Sequence, residues 1–448
     1  MKKLFFVPLV VLLLVGLILA GCAQASPTPT TSKPPVTTSA PPTTAPPTTS
    51  APPTTSKPPT TTAPPTTSAP PTSTAPPPPQ NLKVGALFGL TGFFSGFDAV
   101  QADEAALAAK IINDGGGIKV GNQQYNIQLV TYDFKSDMNG VTAGANQLVF
   151  QDKVQYLIAP SAFFSPPTKD ITEPNKVLRG LTFITGTKQE LGPDMPYTFL
   201  AHNSAFEHAL TNILYMKQNF PNVKNAVVLH PDDGNQGVVF DKVKQYLTAN
   251  GFAVQGDLIT FANETADFSP IASKALALKP DLIFLANGTP PHAGNLLKAV
   301  RQLGSTLPFC YSGDSAPTDI LALGGAAAAT NYFGTGMYNG APNTPPLMQQ
   351  ILDARYAAAK GPISVHAQAI NVLYMFKQGI EKAQSLDTAA VAKALESLDT
   401  IQTPYGTAHL GGLQTYGIKH AYSHPDQVWQ LVDGKPVFGA WIDVSPMP

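Results

Sequence analysis

Two cysteines in 448 residues leave little room for thiol chemistry. One is Cys22, at the end of an apolar N-terminal run; the other is Cys310, in Pro308-Phe309-Cys310-Tyr311. With one cysteine in the body of the chain, no internal disulfide is expected, and Cys310 reads as a small buried hydrophobe on a strand. Charge is scarce too. Asp, Glu, Lys and Arg make up 13% of residues, and no acidic residue precedes position 81. Lys2, Lys3, Lys33 and Lys57 are the charges of that stretch, which leaves 24 basic and 29 acidic residues beyond it. That balance lacks the basic footprint nucleic acid requires. Catalytic signatures are missing as well: there is no Gly-x-Ser-x-Gly and no Gly-x4-Gly-Lys-Ser/Thr, and Gly334-Thr335-Gly336 lacks the rest of a dinucleotide fingerprint. His420 and His424 would suit a metal only on a helix, and Pro425 with its polar neighbours points to a surface loop. Asp232-Asp233, just after a strand, reads as a hydrated turn. No nucleophile–base constellation emerges, so the expectation is binding without catalysis, cofactor or metal. No second long apolar run follows the first, so a further membrane crossing is not expected.

The first run begins after Lys2-Lys3 and extends from Leu4 to Ala20, broken by Pro8 and Gly16. Its length suits a signal-peptide core. It ends in Leu19-Ala20-Gly21-Cys22, an order that resembles the bacterial lipobox. The resemblance implies cleavage after residue 21 and acylation of Cys22. Residues 26–80 are almost wholly Pro, Thr, Ser and Ala, with Pro-Pro settling into a six-residue period. Such a segment has nothing with which to build a core and reads as a disordered, polyproline-rich tether. Fully extended at ~3.1 Å per residue, it would span roughly 170 Å.

From 81 onward short β-type runs alternate with helical patterns. Leu82–Leu87 reads as a strand and Ala99–Asn113 as an Ala-rich helix closed by Gly115-Gly116-Gly117. Strand Ile127–Tyr132, helix Val141–Gln151, and strands Val154–Ala159 and Leu181–Ile184 follow. A similar series restarts at Asn225–His230 and continues with helix Gly237–Ala249, strand Ala253–Phe261, helix Pro270–Leu278, strand Asp281–Ala286, helix Ala293–Leu303 and strand Phe309–Ser312. Helical patterns cover 345–360, 364–384 and 388–398, and Gln427–Val432 returns to strand. Alternation of this kind predicts parallel sheets covered by helices on both faces. Two series predict two α/β lobes, and ligands of such sheets sit beyond the C-terminal ends of the strands.

Val84-Gly85-Ala86-Leu87-Phe88-Gly89-Leu90-Thr91-Gly92 resembles the opening strand and loop of the type I periplasmic binding proteins. The similarity leans to the leucine/isoleucine/valine-binding subfamily of ABC-importer receptors. It continues through Ile112-Asn113-Asp114-Gly115-Gly116-Gly117-Ile118, Tyr132-Asp133, Leu157-Ile158-Ala159-Pro160, Ser312-Gly313-Asp314 and Val432-Asp433-Gly434-Lys435. The resemblance implies two Rossmann-like lobes with parallel sheets, joined by a three-crossover hinge that closes on a small ligand. By this reading 1–21 is the signal peptide and 22–80 the lipidated tether. Residues 81–200 with 339–410 form one lobe, and 201–338 with 411–448 the other.

The implied ligand is an amino acid, branched-chain-like, or a related small carboxylate. The implied partners are an ABC permease and, through Cys22, the outer face of the cytoplasmic membrane. Thr187, in Thr185-Gly186-Thr187, takes the place of the family's carboxylate-binding Thr, and Asp314 that of the acidic partner of the ammonium. Phe97 stands where the family often has an aromatic lid. The pocket Ser aligns with Ala162 or Phe163, with Ser161 and Ser165 close enough for a shift in register. Gly234 replaces a second-lobe Tyr, and another pocket Tyr falls near Asn287-Gly288-Thr289. These departures imply a reshaped site. A sensor passing its closed state to a separate membrane partner, and a binder of aromatic acids or amides, stay open as alternatives.

Overall fold

The computed structural model describes residues 77–325, 330–336, 341–359 and 366–448; Cys22 and most of the Pro/Thr-rich stretch lie outside them. The first strand, Gln80–Phe88, is buried from Val84 onward because parallel neighbours flank it on both sides. Val84 stands opposite Leu129 of Gln123–Asp133 on one side and opposite Tyr156 of Tyr156–Ile158 on the other. The sheet continues through Leu178–Leu181 and Thr198–Leu200, all parallel. Ala421–Ser423 joins it in parallel and leads into an antiparallel ladder with Gly406–Gly411 and Thr400–Thr403. The opposite edge is Ile118–Val120, antiparallel to Gln123–Asp133.

The helix Ser95–Asp114 covers this sheet with Ala105, Ala108, Ala109 and Ile112, a stripe at helical spacing. Gly116 and Gly117 end it at φ 98° and 65°, backbone that side chains with a Cβ rarely adopt. Asn113 then clamps the next strand: its amide donates to Ile127 O at 3.0 Å, and Ile127 N–H donates back to Oδ1 at 2.7 Å.

The second sheet runs in the order Lys435–Ile442, Asp426–Val432, Tyr332–Thr335, Phe309–Asp314, Leu282–Leu285, Asn225–Pro231 and Ala253–Val254. Ile259–Phe261 also pairs with Asn225–Pro231. The two strands Asp426–Val432 and Lys435–Ile442 are antiparallel and the rest parallel. The protein is thus α/β with two mixed, mostly parallel sheets forming two lobes. Its central strands read as continuous apolar runs, Ala226-Val227-Val228-Leu229 and Leu282-Ile283-Phe284-Leu285, because helices cover both faces.

The chain passes between the sheets three times. After Thr198–Leu200 it enters the helix Ala205–Asn219, which packs on the second sheet through Ala209, Ile213 and Met216. After Tyr332–Thr335 it returns to the helix Pro346–Ala359, whose Met348, Ile351 and Leu352 lie in the first lobe's core. After Ala421–Ser423 it goes back through Asp426–Val432. The boundary read at 410/411 cuts the last residue from the strand Gly406–Gly411, which hydrogen-bonds to Ala421–Ser423 on the other side of it. Gly336, at the second passage, has φ 142°, and a Cβ there would stand 2.0 Å from Ser315 O, so only glycine fits.

Several elements differ from the sequence reading. The strand expected at Leu181–Ile184 lies at Leu178–Leu181, and Thr182–Thr185 leave the sheet. Ala253–Phe261 is two short strands around Gly256, which sits at φ 70°. The helix Ala205–Asn219 has no counterpart in that reading. Its buried residues include Glu207, His208, Thr211 and Asn212, which dilute the apolar period. Among the described residues no helix is long and apolar enough to cross a membrane.

Candidate ligand-binding cleft

Residues at or beyond the ends of the strands of both sheets meet in a cleft that opens to solvent. From the first lobe come Phe93, Phe94 and Phe97, beyond Gln80–Phe88, and Ala162 and Phe183, beyond Tyr156–Ile158 and Leu178–Leu181. Their wall is apolar. Phe94 and Phe97 lie with ring centroids 5.4 Å apart, and Phe97 meets His366 edge-on at 5.0 Å. The second lobe contributes Asp233 beyond Asn225–Pro231, Asn287 and Thr289 beyond Leu282–Leu285, and Tyr311 and Asp314 from Phe309–Asp314. Gln368, at the start of the helix Gln368–Ala383, completes the lining. One wall is rings and the other is polar.

Behind Asp314 lies a buried polar cluster that ties the passages together. The Asp314 carboxylate accepts from His202 Nε2 at 2.8 Å and Gln368 Nε2 at 3.1 Å, both at Oδ2. His202 Nδ1 lies 3.2 Å from Asn371 Nδ2 and 2.9 Å from His424 Nε2. Asn203 donates to His424 O and Asp426 Oδ2, each at 2.9 Å, linking the first passage to the third. His208 stands between two carboxylates, 3.0 Å from Asp426 and 3.9 Å from Asp314. Burial alone would lower its pKa, but Asp314 and Asp426 outweigh it and push it up to about 9. Asp314 is buried too, which works to raise it, yet His208 and His202 hold it well below the usual carboxylate range. Burial lowers His202, and burial with His202 beside it takes His424 down to about 3. An imidazolium His208 between two carboxylates is the charge pattern this predicts at neutral pH.

His202, His208 and Asp314 place ligand atoms within 4.8 Å of one another, a spacing a metal can use. In this structure the three side chains form an ion-pair network, with Asp314 facing both His202 and His208. His420 and His424, expected on a surface loop, are instead buried. His420 stacks on Phe199 and bonds Thr198 O and Glu396, while His424 stacks on Tyr405 and bonds His202. They flank the strand Ala421–Ser423, every residue of which is buried as well. Asp233 is part of a turn, but its side chain is buried at the cleft wall and not hydrated.

The sequence pattern of the periplasmic binding proteins matches residues 81–434. The chain belongs to the periplasmic binding protein family. Its members are ligand-binding receptors and not enzymes. A leucine binding protein from Thermotoga maritima superposes with a TM-score of 0.68 at 18% identity, covering 81% of this chain and 99% of its own. A branched-chain amino acid transporter substrate binding protein from Streptococcus pneumoniae, solved with isoleucine, gives 0.68 at 18%, covering 82% and 100%. An ABC transporter solute binding protein from R. palustris, solved with benzoate, gives 0.65 at 18%, covering 81% and 96%. At these identities the likeness establishes the fold.

Within this periplasmic binding protein the residues singled out from sequence fall in three places. Phe97, Asn287 and Asp314 line the cleft together. Ser161 and Thr185 are buried behind its wall: Ser161 Oγ bonds Thr182 Oγ1 at 2.9 Å and Gln101 Nε2 at 3.2 Å. Thr187 and Gly234 line a separate depression with Lys188, Phe206 and Asn235. The hydroxyls of Thr185 and Thr187 both donate to the buried Glu190 carboxylate, at 2.6 and 2.8 Å. The side chain of Phe163 lies outside the described residues, as does Cys22. Sequence reading passed over Phe93, Phe94, Phe183, Tyr311, His292 and Gln368. Of these, Phe93 and Phe94 were accessible as a ring pair just beyond the first strand; Gln368, far along the chain, carried no local signal.

Proposed function

We propose that this chain is an extracytoplasmic solute receptor of an ABC importer, anchored through an acylated Cys22 and closing its two lobes on one small solute. The observation that carries the reading is the cleft built from the C-terminal ends of both sheets, where rings of one lobe face Asp314 of the other. Such a cleft gives a ligand contacts with both lobes only when it is shut, so binding shifts the population toward the closed form. The ring wall favours a solute with an apolar body, a class that includes the isoleucine and benzoate held by the two relatives.

The tether 22–80 gives the lobes reach above the membrane, and Leu19-Ala20-Gly21-Cys22 supplies its attachment. Equilibrium dialysis against a panel of labelled solutes tests the reading: one solute should be retained at one per chain and recovered chemically unchanged. Turnover of the solute, or retention of none, would overturn it. Cys22→Ala should move the protein from the membrane fraction to the soluble fraction; no shift would remove the anchor from the account.

A further inference from the structure

The donors and acceptors of the cleft are unequally divided. Among the described residues that line it there is no Lys or Arg. The nearest hydroxyls of the first lobe are turned away: Ser161 bonds Thr182 and Gln101, and Thr185 donates to Glu190 while accepting from Asn235 at 2.8 Å. Where those hydroxyls would face a ligand, Ala162 and Phe183 stand instead.

A helix N-terminus is the usual substitute for a cation in holding an anion, because its first N–H groups are free. The helix Pro290–Gln302 begins at the cleft wall, but Pro290 and Pro291 have no N–H to offer. The N–H of Thr289 is taken by His292 Nδ1 at 3.2 Å, and that of His292 points to Thr289 Oγ1. With Nδ1 accepting, His292 Nε2 donates to Asn263 O at 2.8 Å, so the imidazole is neutral and fully used. Tyr311 donates its hydroxyl to Gly288 O at 2.9 Å. The helix Ser95–Asp114 has Asp98 in its first turn, its carboxylate taking the Gly89 N–H at 2.8 Å. Little is left for an anion.

Acceptors, by contrast, are in surplus. Two cleft-lining residues that are almost wholly buried carry an oxygen with no hydrogen bond: Asp314 Oδ1 and Gln368 Oε1. The nearest charge to Asp314 Oδ1 is His208 Nε2 at 3.9 Å, too far for a hydrogen bond. Asp233 adds a second carboxylate on the same wall. Buried acceptors without donors are costly, and a ligand that brings N–H groups relieves that cost. Opposite them the Phe93, Phe94, Phe97 and Phe183 rings present π faces or edges suited to an apolar body and to a neighbouring cation.

Resting on the receptor reading above, we propose that the solute is an organic amine, an ammonium head on an apolar, ring-sized body, bound without recognition of a carboxylate. The ammonium donates to Asp314 Oδ1 and Gln368 Oε1, and the body lies on the phenylalanine wall. Specificity follows from the same inventory: a carboxylate would meet two like charges, with only the neutral donors of Asn287 and Thr289 to set against them.

Calorimetric titration of the full-length protein with three probes, benzylamine hydrochloride, sodium benzoate and isoleucine, tests this. Benzylamine is expected to bind at least about tenfold more tightly than either of the others, since a site built for donors rejects a ligand that leaves its polar groups unpaired. Asp314→Asn should abolish that preference. Asp233→Asn, away from the buried cluster, should weaken benzylamine and, with one like charge gone, tighten benzoate, and serves if the first variant does not fold. Benzoate or isoleucine binding as tightly as benzylamine would overturn the amine assignment and leave the receptor reading standing. Failure of all three probes to bind would also overturn it, and the receptor reading would then fall only if the wider dialysis panel retained no solute.

Discussion

Replacing Asp314 by alanine is expected to lower the melting temperature by roughly 4–6 °C at pH 7, from a loss of about 3–5 kcal/mol. The carboxylate is the shared partner of His202, Gln368 and the His208 imidazolium, all buried. Its removal leaves His208 with Asp426 as its one remaining carboxylate and unpairs the donors of His202 and Gln368. Breaking one side of such a buried pair costs more than the pair itself contributes. The pH dependence should change as well. His208 has a folded pKa near 9, raised by Asp314 and Asp426 above an unfolded value near 6.5, so its stabilising contribution is complete below about 6.5 and lost as pH rises through 9.

Between pH 7 and 9 that amounts to about 2 kcal/mol, or roughly 3 °C, in the parent protein. Asp98, Glu104 and Glu207, pushed up to about 7 by burial, have made most of their own loss by neutrality, and the Cys310 thiol, raised by burial, titrates later. Differential scanning fluorimetry at pH 7 and pH 9 reads both effects. In the variant the fall between the two should shrink. An unchanged melting temperature at pH 7 would show that Asp314 is not the keystone of the cluster.

Glu190→Ala is expected to cost about 2–4 kcal/mol, read as a lower urea midpoint with an unchanged slope. Its carboxylate collects five donors: the N–H groups of Thr185, Gly186 and Thr187, and the hydroxyls of Thr185 and Thr187, all within 3.0 Å. Gly186 is held at φ 118° against the Phe206 ring, leaving the turn little freedom to find other acceptors. Loss of Glu190 also loosens Thr185, which accepts from Asn235 of the other lobe. A change below about 0.5 kcal/mol, the range of an ordinary surface substitution, would mean that this turn is held some other way.

How much of this was legible depends on whether the signal was local. The strands Ala226–Leu229 and Leu282–Leu285 were, because parallel strands buried on both faces are continuous apolar runs. The end of the helix Ser95–Asp114 was, because three glycines mark it. The helix Ala205–Asn219 was not: Glu207, His208 and Asn212 break its apolar period, and the partners that face His208, Asp314 and Asp426, come from elsewhere in the chain. His424 looked like a loop histidine for the same reason, its partners His202 and Tyr405 being distant in sequence.

At the site, Phe97 and Asp314 were named through the family resemblance and Asn287 through a departure from it, and all three line the cleft at or beyond strand ends, where this architecture places ligands. Thr187 follows a strand as well, but Glu190, three residues on, folds back to take its hydroxyl. A side chain's availability is decided by its competitors for hydrogen bonds, and spacing does not report them.

The central claim is that solute is held between the lobes, on the phenylalanine wall and Asp314. Hydrogen exchange of the full-length protein, with and without the solute retained in dialysis, tests it most directly. Bound solute should slow exchange at 88–97 and 183–185 in the first lobe and at 287–289 and 311–316 in the second, together and to similar extents. Protection confined to one lobe, or centred on Thr187 and Gly234 in the separate depression, would contradict it.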